Sequence, residues 1–345
     1  MEQIKRTREF INELADIEEL IFDNMQGLNR GDVSLWDAKK QIKGLERNCE
    51  LTKLSPTLLS DNPYIKNIHT DEWLVGNVFL SNLNGYEEYK TYVYAMRKRD
   101  SKSLTTLYHL CYFDQNVYFP TLGTIIPQTK WMAVEPSEIK SFEPFIKEAH
   151  GNVLLMGCGL GYVAYMLSIK DNVDLVTIVE LDPFVKSMFE TYLKPQMNNK
   201  ISIVLGDALE FLDVEDLSKY DYCSIDIWHG AMEMFPIYTK CLLLEQKHKN
   251  TKFHYWLEED LHCVLETIWI ILLKRKFNDE KISKDLKIFS DIMESHSINT
   301  EEDIKTFLTS PKRKIITEWA LNNPDAARNQ TNLNPLIQKA LKNRV

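Results

Sequence analysis

The feature that most constrains this chain is an apolar run that leads directly into a glycine-rich turn. Residues 153–156 are all apolar, as in a strand that a parallel sheet buries on both faces. Glycines follow at alternate positions, at Gly157, Gly159 and Gly161, and an apolar stretch of helical character comes next. Glycine lets the backbone approach a ligand closely, and the start of a helix offers free N–H groups. The sequence therefore predicts a strand, a ligand-binding turn and a helix, in that order.

Acidic residues follow the next three predicted strands. These strands cover residues 175–179, 201–205 and 222–225, and the acids after them are Glu180, Asp207 and Asp226. Any one such acid is more often a helix cap or a turn residue. In an open α/β sheet, however, ligands bind across the carboxyl ends of the strands. The ordered set therefore favours one shared site at the edge where the glycine turn lies.

The spacing of the glycines bears on which nucleotide such a site would take. The dinucleotide fingerprint needs its third glycine three residues after the second. Tyr162 occupies that position here. This disfavours a nicotinamide or flavin cofactor.

Four segments carry a resemblance to a known family: VLLMGCGLGY, TIVELDP, LGDALEFL and YDYCSIDIW. Over about residues 131–258 the chain resembles the class I S-adenosylmethionine-dependent methyltransferases, and within them the spermidine-synthase-like branch. The resemblance implies a doubly wound, mostly parallel, Rossmann-like α/β sheet with S-adenosylmethionine as cofactor. It also implies that the glycines of the turn contact the methionine part of the cofactor. By the same resemblance Glu180 holds the ribose and Asp207 the adenine amino group, with Ala208 beside the ring.

Two departures from the family pattern point in different directions. Leu155 stands where many methyltransferases carry an acid, which favours the spermidine-synthase-like branch. Ile227, Trp228 and His229 stand in place of the Ser/Thr-rich Asp-Pro segment of spermidine synthases, which disfavours aminopropyl transfer. We therefore expect a methyltransferase acting on a small-molecule or protein acceptor. Two alternatives stay open: an aminopropyltransferase that uses decarboxylated S-adenosylmethionine, and a catalytically inactive cofactor-binding protein.

Asp226 and His229 are the candidate catalytic residues. Asp226 can serve as a base for a substrate hydroxyl or amine, or hold a substrate cation, and its alternative role is a helix cap. His229 follows three residues later and titrates near neutral pH, although a lone loop histidine is more often only solvated. Trp228 and Tyr238 either shape an aromatic pocket or pack against the sheet. No metal is expected, because a hard cation needs more oxygen ligands than we identify.

Glu135 and Glu138 lie just before the first strand of the predicted cofactor domain. Either carboxylate could contact a ligand from there. A proline followed by acids is also the ordinary composition of the first turn of a helix. We prefer the helix-start interpretation for Glu138.

Three regions are predicted along the chain: a helical and small β region over 1–127, an S-adenosylmethionine-binding α/β domain over 128–260, and a helical extension over 261–345. The first region is expected to pack its helices on the α/β domain and to hold a β-hairpin over 107–119. A fifth strand is expected over 253–257. Residues 314–319 either supply a further strand or the sheet is truncated.

Composition limits the partners and the compartment. A net charge of −9 gives no broad basic surface, which disfavours nucleic acid as substrate. The six cysteines show neither a close pair nor zinc-site spacing. The first residues lack the apolar core of a signal peptide, and no apolar run is long enough to cross a bilayer. We expect a cytoplasmic protein without a membrane segment, and a homodimer stays open.

Overall fold

The structure is a computed structural model that describes residues 2–25, 35–70, 73–81, 93–114, 117–126, 128–330 and 333. Its strands are β1 (Cys49–Lys53), β2 (Trp73–Val75), β3 (Val78–Ser81), β4 (Val93–Arg99), β5 (Thr106–Tyr112), β6 (Thr121–Ile125), β7 (Gln128–Ala133), β8 (Gly151–Met156), β9 (Val173–Glu180), β10 (Ile201–Leu205), β11 (Tyr222–Ile225) and β12 (Lys252–Tyr255). Its α-helices are α1 (Glu2–Met25), α2 (Leu35–Gln41), α3 (Thr57–Ser60), α4 (Pro63–Asn67), α5 (Pro136–Glu148), α6 (Tyr162–Ser168), α7 (Pro183–Met188), α8 (Ala208–Val214), α9 (Ala231–Glu245), α10 (Glu258–Phe277), α11 (Lys287–Glu294), α12 (Glu301–Thr309), α13 (Lys312–Asn322) and α14 (Pro324–Arg328).

The centre of the molecule is a five-stranded parallel sheet in the order β10-β9-β8-β11-β12. Numbered along the chain, this is the 3-2-1-4-5 order of a doubly wound sheet. The strand order reverses between β8 and β11, so a crevice opens at the carboxyl ends of these two strands. The predicted Rossmann-like α/β fold class is confirmed, and each of the five strands expected from the sequence is present.

Two strands at the centre of this sheet are almost entirely buried. All four residues of β11 are buried, as are residues 153–156 of β8. A parallel sheet is covered by helices on both faces, so its strands are continuous apolar runs rather than alternating ones.

The sheet ends at β12 within the part of the chain that the structure describes. Residues 314–319 belong to helix α13, so the truncated sheet is the correct one of the two alternatives. The N–H groups of Lys252 and Trp256 bond towards β11, which leaves the Phe253 carbonyl pointing away from the sheet. Nη1 of Arg313 donates to that carbonyl at 3.2 Å. A side chain of α13 thus occupies one hydrogen-bonding position that a further strand would use.

The first helix packs on α10. Ile11, Leu14 and Ala15 of α1 belong to the same buried cluster as the apolar side chains of α10. A buried ion-pair network reinforces this contact: Arg99 at the end of β4 lies 2.9 Å from Glu18 of α1 and 2.7 Å from Glu266 of α10. Among the described residues, no helix combines the length and apolar character that a membrane span requires.

The prediction of a β-hairpin over 107–119 is wrong, because the two halves of this segment do not pair with each other. Strand β5 covers its first half but pairs with β4 (antiparallel) and β1 (parallel). Residues 117–119 form no strand, although Val117 and Phe119 pack into the core, and Pro120, which follows them, has no N–H to donate. Hairpins do occur in this region, between β2 and β3 and between β6 and β7.

Candidate functional site

The glycine turn follows β8 at the crevice. Its three glycines have left-handed backbone conformations, with φ of +99° at Gly157, +48° at Gly159 and +69° at Gly161. A Cβ on Gly157 would collide with the carbonyl oxygen of Asp226, and one on Gly159 would collide with the sulfur of Met132. Glycine is required here both for the conformation and for the close approach of neighbouring groups.

Glu180, at the end of β9, holds the turn in place. Its Oε2 accepts a hydrogen bond from the Cys158 N–H at 2.9 Å, and its Oε1 accepts one from the Asp182 N–H at 2.8 Å. Burial raises the pKa of the Glu180 carboxyl, and these N–H donors counteract that rise. A carboxylate offers about four lone-pair sites, so two remain for a ligand.

Asp207 lies at the end of the neighbouring strand. Its Oδ1 accepts from the Glu210 N–H at 3.0 Å, so it caps α8, and Ala208 is the buried first residue of that helix. Leu205 pairs with Glu180 across the two strands. Leu205 is 55% exposed, and Leu181, directly after Glu180, is 67% exposed. Exposed apolar side chains therefore accompany the two acids at the ends of β9 and β10.

Asp226 follows β11, across the crevice from Glu180. Its backbone N–H bonds to the carbonyl of Met156, which ties the end of β11 to the end of β8. Burial and the charge of Glu180 raise the pKa of the Asp226 carboxyl to about 8. No hydrogen bond of this carboxyl to a described residue is present, so the capping alternative does not hold for Asp226.

Glu138 is the residue for which the sequence favoured a helix start over contact with a ligand. It does lie in the first turn of α5, as predicted, but its side chain is buried rather than solvated. Burial and the charges of Asp226 and Glu135 raise the pKa of its carboxyl well above the ordinary value. An acid just after a proline is the usual composition of a helix start, so nothing in the local sequence marks Glu138 as buried.

The packing of α5 on the sheet places Glu138 towards the carboxyl ends of β11 and β12. The rings of Phe145 and His254 stack with their centroids 4.5 Å apart. One turn earlier in α5, the Ser141 hydroxyl accepts a hydrogen bond from Trp256 Nε1 at 2.8 Å. A contact earlier in the helix thus falls later along the strand. The helix therefore runs antiparallel to the strands, and Glu138 lies about one further turn, roughly 5 Å, beyond Trp256. Asp226 is level with Trp256, because the residues before them pair across β11 and β12.

His229, the second candidate catalytic residue, lies at the protein surface. Its side chain is 63% exposed, and its Nδ1 lies 3.2 Å from Oε2 of Glu233 on α9. The two aromatic candidates are packed against the sheet: Trp228 Nε1 donates to the Trp256 carbonyl, and Tyr238 OH donates to Glu258. The packing alternative for both aromatic residues is therefore correct.

The N-terminal region contacts the glycine turn from outside. Tyr64 OH donates to the Leu160 carbonyl at 2.6 Å, and its ring meets that of Tyr162 edge to face at 5.7 Å. Asn62 Nδ2 lies 3.4 Å from Tyr162 OH. These contacts join residues about a hundred positions apart, and no local sequence signal could have indicated them.

Within the described ranges, no group of three or more His, Cys, Asp and Glu side chains is arranged to hold a metal ion. The two carboxyls of Glu138 and Asp226 fall short of the oxygen set that a hard cation takes.

Comparison with known proteins yields similarity only at the level of solved structures. No family model and no curated protein matches the chain. Spermidine synthase from Thermotoga maritima is 14% identical, with 60% of this chain and 62% of that chain covered and a TM-score of 0.31. The Trypanosoma brucei PRMT1 enzyme-prozyme complex with AdoHcy is 17% identical, with 35% and 38% covered and a TM-score of 0.26. M. jannaschii TYW2 in complex with AdoMet is 15% identical, with 40% and 58% covered and a TM-score of 0.28.

The chain thus spans less than two thirds of the length of each of these three proteins. Values this low add nothing to what the strand order already establishes. The order 3-2-1-4-5, with a glycine turn after its first strand, is the doubly wound, Rossmann-like α/β fold that the sequence predicted.

Proposed function

We propose that this chain is an S-adenosylmethionine-dependent methyltransferase acting on a small-molecule or protein acceptor. One observation carries the proposal. The glycine turn after β8 lies between Glu180 and Asp226, and Glu180 hydrogen-bonds the turn directly. The two acids and the turn meet at the point where the strand order reverses, which is where doubly wound sheets bind nucleotide-like ligands.

The residues present fit the adenosyl group. Ribose hydroxyls and an exocyclic amine are donors, and carboxylates are acceptors. Glu180 would hold the ribose and Asp207 the adenine amino group, with Ala208, Leu181 and Leu205 beside the ring. By the family resemblance, Gly157, Gly159 and Gly161 would lie against the methionine part. Met132, whose unbranched side chain covers Gly159, is the group that a ligand there would displace.

The chain's own part in the reaction is to orient the acceptor and to take its proton. The bound cofactor would supply a methyl group already activated by its sulfonium, so proximity and alignment provide much of the acceleration. Asp226 would be the base in its ionised form, because its raised pKa makes it a stronger base than an ordinary carboxylate. A catalytic role for His229, which is exposed beside Glu233, stays a prediction.

Calorimetry with S-adenosylhomocysteine tests the binding half of the proposal. We expect binding by the wild-type chain and its loss in Glu180→Ala, with Asp174→Asn, an exposed acid of the same strand, as the matched control. Absence of binding to the wild type would overturn the proposal. The methyl-transfer step is tested by following label from methyl-labelled S-adenosylmethionine to an acceptor. Label transferred instead from the aminopropyl group of decarboxylated S-adenosylmethionine would select the aminopropyltransferase alternative.

A further inference from the structure

Each glycine of the turn after β8 is covered by a group of the protein itself. In chain order, a Cβ added to the three glycines would meet the carbonyl oxygen of Asp226, the Sδ atom of Met132 and the ring of Phe189. A ligand that contacts this turn must therefore either avoid these groups or move one of them.

Met132 is the covering group that can move most easily. The Asp226 carbonyl is backbone, and the N–H of the same residue is bonded to Met156. The Phe189 ring is fully buried in the core. The Met132 side chain is only half-buried, and an unbranched thioether changes rotamer easily. Access of a ligand to the turn at Gly159 therefore depends on this one side chain.

A hydrogen bond holds the Met132 side chain on the turn. The Leu160 N–H donates to Sδ of Met132 at 3.2 Å. Sulfur in a thioether is a weak acceptor, so an oxygen of a ligand would be a better partner for this N–H. The backbone of Met132 is paired with Leu122 across β7 and β6. A ligand could therefore displace the side chain while strand β7 stays in place.

We propose that Met132 is a specificity-determining residue of the cofactor site, and that its side chain competes with the methionine part of the cofactor for the glycine turn. This rests on the proposed function and adds a residue of the N-terminal β region to that site. The competition concerns one half of the ligand. The adenosyl half would lie against Glu180 and Asp207, so its contacts do not require Met132 to move.

The competition sets the order of affinities for ligands of different length. A ligand that consists of the adenosyl half alone binds with Met132 in place. A ligand that also carries the methionine part must first break the hydrogen bond between Leu160 and Met132, and this cost lowers its affinity. Removing the Met132 side chain should therefore favour the longer ligand only.

Calorimetry on the full chain tests this with two ligands and three proteins. Adenosine and S-adenosylhomocysteine are titrated into the wild type, Met132→Ala and Met166→Ala. We expect Met132→Ala to bind S-adenosylhomocysteine about tenfold more tightly than the wild type, because the ligand no longer has to displace a bonded side chain. Its affinity for adenosine should be unchanged. Met166 is a half-buried methionine that packs against the same core cluster, so Met166→Ala should leave both affinities unchanged.

A second measurement uses the wild-type chain and stays informative even if Met132→Ala does not fold. The methionine methyl groups are isotope-labelled and followed by NMR. The Met132 signal is identified by its absence from the spectrum of Met132→Leu, a substitution of similar volume. We expect this signal to shift when S-adenosylhomocysteine is added and to stay in place when adenosine is added.

The outcomes separate this inference from the proposed function. S-adenosylhomocysteine that binds Met132→Ala no more tightly than the wild type, or leaves the Met132 signal unmoved, would overturn the inference while leaving the cofactor site intact. An equal gain in affinity for adenosine would also overturn it, because the effect of Met132 would then not be confined to the methionine part. Absence of S-adenosylhomocysteine binding to the wild type would remove the proposed function itself.

Discussion

The Glu180 carboxylate accepts a hydrogen bond from the Cys158 N–H at 2.9 Å, so the end of β9 fixes the conformation of the glycine turn after β8. The other oxygen of the same carboxylate accepts from Asp182 at the start of α7. One side chain therefore orders two loops of the crevice. Its structural role exists independently of any ligand.

Replacing Glu180 by glutamine should destabilise the protein as well as weaken cofactor binding. Glutamine keeps one acceptor oxygen, so one of the two N–H groups loses its partner, at a cost of about 1–3 kcal/mol. Urea denaturation measures this loss, and Asp174→Asn on the same strand is the control. A Glu180→Gln variant as stable as the wild type would contradict the role given to this carboxylate.

Gly157→Ala should be far more damaging than Gly230→Ala. At Gly157 the backbone has φ of +99°, and a Cβ would meet the Asp226 carbonyl oxygen. At Gly230 φ is 175°, an extended conformation, and no atom lies within 4 Å of the Cβ position. We expect a destabilisation of about 1–3 kcal/mol for the first change and little for the second. Thermal unfolding of the two variants side by side checks this, and equal effects would contradict it.

The raised pKa values at the crevice predict how stability depends on pH. The Asp226 carboxyl has an ordinary pKa of 3.8 and a folded value of about 8, so between these limits the native state binds more protons than the unfolded state. The free energy of unfolding should therefore fall as pH rises through this window. Glu138→Gln removes one of the charges, so it should unfold at a temperature higher than the wild type by about 2 °C or more at pH 8.

Melting temperatures measured from pH 5 to about 8.5 test this prediction. The two proteins should converge at the acid end of the range, where both wild-type carboxyls are protonated. A constant difference across the range would attribute the change to packing rather than to charge. The exposed Glu143→Gln variant should follow the wild-type curve.

Arg99→Met should be among the most destabilising single changes outside the crevice. The Arg99 side chain is buried between Glu18 and Glu266, and its removal leaves two buried carboxylates without this partner. Breaking such a pair from one side costs about 3–5 kcal/mol. Arg6→Met, which removes an exposed ion pair with Glu2 on the same first helix, should cost at most about 1 kcal/mol. Chemical denaturation of both variants distinguishes buried from exposed pairing.

The parallel sheet and its acids could be predicted because their signals are local. An apolar run that a sheet buries on both faces is visible in the sequence, and so is an acid that follows it. The order of the strands then brings the turn, Glu180 and Asp226 to one edge without further information.

The features that were missed depend on contacts between distant parts of the chain. Glu138 has the local surroundings of a helix start, and its burial depends on the packing of α5 on the sheet, where Ser141 meets Trp256. The hairpin over 107–119 was misplaced because β5 finds its partners in β1 and β4 instead. Strand pairing of this kind is decided by the whole fold, and alternating apolar residues cannot specify which strand becomes the neighbour.

The hydrogen bond from Tyr64 to Leu160 has a consequence for the order of folding. The carbonyl it caps belongs to the glycine turn, and the donor precedes it by 96 positions. Closing a loop of that length is slow compared with forming the adjacent strand and helix. During synthesis the N-terminal segment emerges first and must wait for its acceptor. The turn should therefore reach its final conformation only when the two regions dock, which makes the maturation of the crevice one of the last events in folding.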